Sequence, residues 1–215
     1  MPPPSTNSDP SPEHEHVFAE ARALGFLGPG PVSDGIEHAR GFAAGIDEPP
    51  RLLVDLGSGG GLPGLVLASL WTGTTLVLVE ANQRRSRFLQ RAVDELGYGG
   101  RVLVADRRAE LVGREPDLRG RADAVVARGF GRPAVTAECA APLLRVGGYL
   151  VVSEPPRAGR PVGRWPEPPS PLDELGLVVS PAWTTRFHYQ SLVQIFPCPD
   201  RFPRRVGVPA KRPLF

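Results

Sequence analysis

A glycine-rich segment, VDLGSGGGLPG at residues 54–64, carries the residue types that point most directly to chemistry. It follows a short apolar run and precedes an apolar helical pattern, which predicts a turn from a strand into a helix. Gly57, Gly59 and Gly61 would let the backbone turn sharply and approach a ligand with no Cβ in the way. Pro63 suits the first turn of the helix, whose N–H groups we expect to be unpaired. The segment therefore predicts a ligand site at the carboxyl ends of the strands.

A carboxylate at the end of the next predicted strand supports a nucleoside ligand. Glu80 closes the run TTLVLVE and could accept hydrogen bonds from both hydroxyls of a ribose. Gly59, Gly61 and Gly64 also satisfy G-x-G-x-x-G, so the spacing leaves a nicotinamide dinucleotide and a second kind of nucleoside cofactor open. A dinucleotide enzyme would need a second mononucleotide half and a substrate domain, for which about 110 residues after the third strand leave little room.

Alternating strands and helices would position these residues. Short apolar strands are predicted at residues 51–56, 74–80, 101–105, 122–127 and 148–153. Helices are predicted at residues 13–24, 32–46, 62–70, 83–96 and 133–144. Strands that are apolar throughout and alternate with helices predict a doubly wound α/β fold with a mostly parallel sheet. Two last strands, 177–179 and 191–196, lack a good helix between them, so we expect them to pair antiparallel at the sheet edge.

Length and composition exclude several classes of protein. The 215 residues are 41% hydrophobic and 22% charged, which is typical of one globular domain with attachments. No apolar run approaches the ~20 residues that cross a bilayer, and the N-terminus lacks the pattern of a signal peptide, so we expect a cytoplasmic protein without a membrane partner. Cys139 and Cys198 are isolated from each other and from any His pair, so we expect no metal site. The oligomeric state is left open.

The chain divides into four parts by composition. Residues 1–12 contain five prolines and are expected to be disordered, and residues 13–50 form an N-terminal helical segment. The main domain is expected over 51–198, with a proline-rich loop at 154–171. Residues 199–215 form a basic tail: five of the 25 basic residues lie in the last 15 residues, which contain no acid. This asymmetry favours a polyanionic partner.

Four segments follow one another at the spacing of a known family: DLGSGGGLPGLVLA (55–68), LVEANQRRSRFL (78–89), RRAE (107–110) and VVARGF (125–130). They resemble the GidB family of bacterial methyltransferases, which use S-adenosylmethionine to methylate guanine N7 in small-subunit ribosomal RNA. The tail PDRFPRRVGVPAKRPLF resembles the basic C-terminus of that family. The resemblance covers residues 51–153 and 190–215.

The resemblance implies the class I S-adenosylmethionine-dependent methyltransferase fold, with a seven-stranded sheet. Glu80 would hold the ribose, Ala109 and Glu110 would face the adenine, and Arg128 would lie where cofactor and substrate meet. The implied partner is ribosomal RNA or the small ribosomal subunit. The turn and the resemblance together give the expected cofactor-binding residues as Gly57, Gly59, Gly61, Leu62, Glu80, Ala109, Glu110 and Arg128.

The implied reaction needs no catalytic base. Guanine N7 has a free lone pair and no proton, so methyl transfer to it from a sulfonium is an in-line displacement that depends mainly on alignment. No His/Asp or Cys/His constellation accompanies the motifs, and we assign no catalytic residue. Methyl transfer to an oxygen acceptor would normally require a general base.

Several positions depart from the family pattern or have open roles. Alanine is usual where this chain has Gly129, and lysine is usual where it has Glu154. An anion there opposes RNA binding, so a methyltransferase of the same fold acting on a small molecule is an alternative, and a non-catalytic RNA-binding relative is another. The arginines of residues 84–87 could contact phosphate or pair with nearby acids such as those at 94–95. His38 is expected to be a surface residue of its helix.

Overall fold

A twisted sheet with eight strands organises the described part of the chain, residues 12–155 and 164–215 of a computed structural model. Its first strands are β1 (Leu52–Leu56), β2 (Thr75–Val79), β3 (Val102–Ala105), β4 (Ala122–Ala127) and β5 (Leu144–Glu154). They are followed by β6 (Leu177–Val179), β7 (Trp183–Thr184) and β8 (His188–Gln194). The order is β3-β2-β1-β4-β5-β8-β6, with β7 paired to β8 outside that row. Most of the predicted disordered tail, and residues 156–163 of the predicted loop, lie outside the described residues.

Strands β1 to β5 are parallel, as their apolar sequences predict, and β8 joins β5 antiparallel. In the centre of the sheet, Leu53 of β1 is in register with Leu76 of β2 and Ala124 of β4, and all three side chains are buried. The chain moves outward from β1 through β2 to β3 and then returns to β4 on the other side of β1. The carboxyl ends of β1 and β4 therefore form the switch point of the sheet, where open α/β sheets bind ligands.

Helices cover both faces of the sheet, which confirms the doubly wound prediction. They are α1 (Pro12–Ala23), α2 (Val32–Gly41), α3 (Gly64–Leu70), α4 (Gln83–Glu95), α5 (Ala109–Val112), α6 (Pro133–Ala140), α7 (Pro171–Leu175) and α8 (Val208–Lys211). On one face, Phe18, Leu65 and Phe88 bury side chains from α1, α3 and α4 in one core. On the other face, Val112 and Leu172 of α5 and α7 belong to a second core. Among the described residues, no helix is long and apolar enough to cross a bilayer.

Local side-chain chemistry sets the bounds of several helices. The Asn82 side chain accepts hydrogen bonds from the N–H groups of Arg84 and Arg85, which begins α4. Helix α7, which the sequence analysis did not predict, begins with a capping box between Ser170 and Asp173. Helices α5 and α8 have only four residues each, too short for a hydrophobic period to mark them.

The strands predicted at 148–153 and 191–196 run instead over Leu144–Glu154 and His188–Gln194. Three predicted helix bounds were wrong by two or more residues. The helix predicted at 62–70 begins at Gly64, and the helices predicted at 32–46 and 133–144 end at Gly41 and Ala140. In the last two cases, a short 3-10 turn follows the helix, at Ala43–Gly45 and at Ala141–Leu143. Apolar residues continue through those turns, so periodicity extends past the end of the regular hydrogen bonding.

Candidate functional site

The glycine-rich turn between β1 and α3 adopts the backbone conformation that the sequence predicts. Gly57, Gly59 and Gly61 have φ angles of 71°, 57° and 93°, a region that residues with a Cβ rarely adopt. The N–H groups of Gly57 and Ser58 both donate to the carbonyl of Val79, at 2.9 and 3.1 Å. The turn is thereby fixed against the carboxyl end of β2.

The prediction that unpaired N–H groups open the helix was wrong for the groups nearest the turn. The Gly64 N–H donates to Asp55 Oδ2 at 3.0 Å, and the Gly61 N–H donates to the Ser58 carbonyl at 2.7 Å. The Gly59 N–H donates to Glu80 Oε2 at 3.0 Å. The carboxylates of Asp55 and Glu80 therefore accept hydrogen bonds from N–H groups that the sequence analysis expected to be free for a ligand.

Glu80 lies at the end of β2 and is only 7% exposed. Its Oε2 accepts from Gly59, and its Oε1 accepts from the N–H of Asn82 at 2.7 Å. Each carboxylate oxygen has a second lone pair, so the group can still accept hydrogen bonds from a ligand. Glu80 therefore holds the turn in place and also presents a carboxylate to the space beside it.

Asp55 is a site residue that the sequence analysis did not single out. Its side chain is fully buried, and its Oδ1 has no hydrogen-bond partner among the described residues. Burial raises its pKa to about 7, and the nearby charge of Glu80 acts in the same direction, against the hydrogen bond from Gly64. A Cβ on Gly64 would lie 2.6 Å from Asp55 Oδ2, so glycine there is required by this close approach. The sequence does contain a signal for Asp55, because it is an acidic residue near the end of an apolar strand.

Two cavities flank the turn. The first, of about 300 Å³ and here called the strand-end cavity, lies over the ends of β2 and β3 and is lined by Glu80, Ala109, Glu110, Phe130 and Ala210, among others. The second, of about 440 Å³ and here called the helix-side cavity, lies toward α1 and α2 and is lined by Phe26, Gly59, Leu62, Arg128 and Phe187, among others. Gly57, Arg85 and Gly129 line both cavities.

Seven of the eight predicted site residues therefore lie around these two cavities, and Gly61 does not. A Cβ on Gly61 would lie 2.5 Å from a methyl group of Leu65, so this glycine permits packing of α3. That the other residues bind a cofactor stays a prediction.

In the helix-side cavity, Arg128 is half-buried and, within residues 12–155 and 164–215, forms no ion pair. Burial lowers its pKa, but a guanidinium stays charged at neutral pH. Phe187, from the connection before β8, stacks on His38 with ring centroids 4.3 Å apart. Burial and the charge of Arg128 lower the pKa of His38 to about 4. The prediction that His38 is a surface residue was therefore wrong: its half-buried, neutral ring packs against the ring of Phe187.

Glu110 does not face the strand-end cavity freely. Its Oε1 accepts a hydrogen bond from the N–H of Gly207 at 2.9 Å, in the C-terminal segment. The sequence could not anticipate this contact, since it joins residues 97 positions apart. Ala109, beside it, is 5% exposed and lines the cavity with its backbone and methyl group.

The two departures from the family pattern have local explanations. Gly129 has a φ of 65°, a left-handed conformation in which alanine is strained. Glu154 accepts a hydrogen bond from Trp165 Nε1 at 2.8 Å and forms an ion pair with Arg164. Its charge is therefore compensated within the protein, which removes the reason for expecting it to repel RNA.

The arginines at the start of α4 do not pair with acids 94 and 95. Arg84 and Arg85 lie with their guanidinium carbons 5.9 Å from the ring centroid of Phe26. Their charges are therefore held at the rim of the helix-side cavity by a cation–π contact. Asp94 and Glu95 instead contact Gln90 and His16.

The described residues contain no group of three or more His, Cys, Asp or Glu side chains placed to hold a metal ion. Burial raises the pKa of both cysteine thiols, so neither is an activated nucleophile at neutral pH. The polar side chains that line the two cavities include the carboxylate of Glu80 and the guanidiniums of Arg85 and Arg128, whereas Asp55 is fully buried and lines neither cavity.

This donor set fits a nucleoside that carries a positively charged, amino-acid-bearing arm. Glu80 offers acceptor positions for ribose hydroxyls in the strand-end cavity. Asp55 lies beneath the turn, near enough to Glu80 and Arg128 for their charges to act on its pKa, but its side chain lines neither cavity. A Cβ on Gly57 would lie 2.7 Å from Phe130 Cδ2, so glycine at this position allows Phe130 to pack against the turn.

The sheet order and the site at the switch point define the class I S-adenosylmethionine-dependent methyltransferase fold. The cofactor-bound structure of Rv0187 from MTB superposes with a TM-score of 0.60 at 18% identity, over 88% of this chain and 93% of that one. That likeness shows the shared fold.

The sequence comparisons give the family. The family model described as rRNA small subunit methyltransferase G, GidB, matches residues 36–154. A "Ribosomal RNA small subunit methyltransferase G" from Prochlorococcus marinus is 35% identical over 185 residues, 77% of this chain and 68% of the relative. The protein of that name from Symbiobacterium thermophilum is 35% identical over 85% of this chain and 78% of its own length. The chain belongs to the GidB family and is an S-adenosylmethionine-dependent methyltransferase.

Proposed function

We propose that this enzyme methylates guanine N7 in small-subunit ribosomal RNA. The observation that carries the proposal is the family match over residues 36–154, which includes both the glycine-rich turn and Arg128. The curated relatives bear the name of ribosomal RNA small subunit methyltransferases. The choice of guanine N7 comes from the resemblance of the motifs to that family.

We assign the strand-end cavity to the nucleoside part of the cofactor and the adjoining helix-side cavity to the acceptor. When bound, S-adenosylmethionine supplies a methyl group on a sulfonium sulfur, which leaves readily as a neutral thioether. Glu80 would accept hydrogen bonds from the ribose, and Ala109 would pack against the adenine. These contacts would fix the orientation of the methyl group toward the helix-side cavity.

The helix-side cavity has the chemistry expected of a site for a single extruded base. Phe26 and Phe187 supply aromatic surfaces, and bases of single-stranded RNA commonly stack on such rings. Arg128 is a charged donor that pairs with no carboxylate among the described residues, and arginine commonly donates to guanine O6. The methylated N7 needs no proton removed, so these residues only have to align the base and exclude water.

The rim of the cavities carries cations for the RNA backbone. Arg22, Arg84 and Arg108 are exposed, and Arg205 and Lys211 extend the same charge into the C-terminal segment. Phosphate contacts of this kind give an affinity that falls steeply with salt. Because the proposed acceptor is ribosomal, we also expect a cytoplasmic enzyme.

The test uses a strain that lacks the gene. Small ribosomal subunits from that strain are incubated with the purified enzyme and S-adenosylmethionine, and the RNA nucleosides are then measured by mass spectrometry. We expect 7-methylguanosine to rise toward one per subunit with the native enzyme and not with Glu80→Gln. Transfer to the RNA at another atom, or no transfer to RNA despite tight binding of S-adenosylhomocysteine, would contradict the acceptor assignment; the latter result would favour a small-molecule acceptor.

A further inference from the structure

We propose that the C-terminal segment, residues 199–215, is a wall of the strand-end cavity and that Arg204 is a positioning residue for the cofactor. This inference rests on the proposed assignment of that cavity to the nucleoside. The composition of the segment suggested an arm for a polyanion, but its contacts tie it to the protein. Ala210 lines the strand-end cavity directly, together with Val79 and Glu80 at the end of β2. The Gly207 N–H donates to Glu110, which lines the same cavity.

Arg204 holds this wall through a buried carboxylate. Glu138, on α6, has no exposed surface. The backbone N–H and the Nε of Arg204 both donate to Glu138 Oε1 at 2.8 Å, and Arg204 Nη2 donates to Glu138 Oε2 at 2.6 Å. Glu138 directly precedes Cys139, which lines the strand-end cavity. The guanidinium therefore fastens the segment to the helix that forms another side of that cavity.

The same guanidinium also fixes the far end of the segment. Arg204 Nη2 donates to the carbonyl of Arg212 at 2.7 Å, which closes residues 204–212 into a loop around α8. Gly207 and Ala210 lie within this loop. Loss of the Arg204 side chain would therefore release Ala210, which lines the cavity, and Gly207, which supports Glu110. It would also leave the buried Glu138 carboxylate with only the backbone N–H of residue 204 out of these three donors.

Upstream of Arg204, the segment has an independent anchor. Arg119 donates to the carbonyls of Cys198, Pro199 and Phe202 at 2.8 to 3.0 Å, and the Phe202 ring is buried in the second core. The chain is therefore attached up to Phe202 without help from Arg204. We expect a change at Arg204 to free only the part that forms the wall.

The cations of the segment thus divide into two groups. Arg201 and Arg204 are paired with Glu174 and Glu138. In the described part of the chain, Arg205, Lys211 and Arg212 are exposed and form no ion pair, so they are available to RNA. Arg204 should therefore act on cofactor affinity, and Arg205 on RNA affinity.

The test compares Arg204→Gln with Arg205→Gln, which removes the same charge one residue away. Titration calorimetry with S-adenosylhomocysteine gives the affinity of each protein, and circular dichroism checks its fold. We expect Arg204→Gln to weaken binding by about tenfold or more, since the wall and Glu110 both lose their support, and Arg205→Gln to bind like the native enzyme. Arg204→Lys should recover part of the loss.

Equal affinities of native enzyme and a folded Arg204→Gln would overturn the inference while leaving the proposed function intact. If the native enzyme itself does not bind S-adenosylhomocysteine, the assignment of the cavity fails instead. A second measurement uses the native enzyme alone, in case Arg204→Gln does not fold. Because coupling between sites is reciprocal, bound S-adenosylhomocysteine should slow tryptic cleavage after Arg205 and Lys211 several-fold. Cleavage at an unchanged rate with saturating ligand would refute the coupling.

Discussion

Asp55 gives the sharpest quantitative prediction, because its burial links the stability of the fold to pH. The folded protein raises the pKa of this carboxyl from 3.8 to about 7. An acid whose pKa is raised on folding binds its proton more tightly in the folded state. The free energy of unfolding therefore decreases as pH rises from about 4 to 7, and the full loss is present above pH 7.

The magnitude follows from the two pKa values. Between pH 5 and pH 8 the contribution of this one group should change by about 2–3 kcal/mol, since each pKa unit corresponds to about 1.4 kcal/mol. For a chain of this length that corresponds to a difference in melting temperature of roughly 5–10 °C. The substitution Asp55→Asn keeps an acceptor for the Gly64 N–H and removes the titration.

The assay is urea unfolding of both proteins at several pH values, without cofactor. Asp55→Asn is expected to lower stability by a constant amount, because its amide N–H₂ enters a buried position with no described partner. The native protein should lose stability relative to the variant as pH rises from 5 to 8. Parallel curves for the two proteins would refute the reasoning, since they would mean that Asp55 titrates at its ordinary pKa.

Three further predictions concern single residues of the site. Glu80→Gln should weaken S-adenosylhomocysteine binding at least about tenfold in calorimetry, because a neutral amide is a weaker acceptor for ribose hydroxyls; unchanged affinity would remove Glu80 from the site. Gly129→Ala should lower the free energy of unfolding by about 1–2 kcal/mol in urea, because the φ of 65° is left-handed while a Cβ meets no atom within 4 Å. The His38 ring should titrate well below pH 6 by NMR, and its depressed pKa means that the free energy of unfolding decreases as pH falls through 6.5 toward 4; a titration near 6.5 would show that the ring is not stacked against Phe187 as described.

The contacts of Glu154 bear on the choice between an RNA acceptor and a small-molecule acceptor. An exposed acid after the fifth strand would have favoured a small-molecule acceptor over RNA. The carboxylate is instead neutralised by Arg164 and held by Trp165. The potential around the cavities is then set by the exposed arginines of their rim, which favours a polyanion.

The sequence alone was sufficient to predict the apolar segments that form the parallel strands, the glycine-rich turn and the carboxylate of Glu80 at a strand end. These features have local causes: a period of hydrophobicity, a φ that only glycine adopts readily, and a polar residue at a strand end. The bounds of β4, Ala122–Ala127, were predicted to the residue for the same reason.

Tertiary structure alone decided how charges far apart in the chain are paired. Glu110 meets Gly207 across 97 positions, and Glu138 meets Arg204 across 66. No local pattern marks such partners, because hydrogen bonds between distant segments depend on how the helices and the C-terminal segment pack. The same packing makes His38, predicted as a surface residue, a half-buried ring stacked on Phe187, and it buries the Asp55 carboxyl and so raises its pKa.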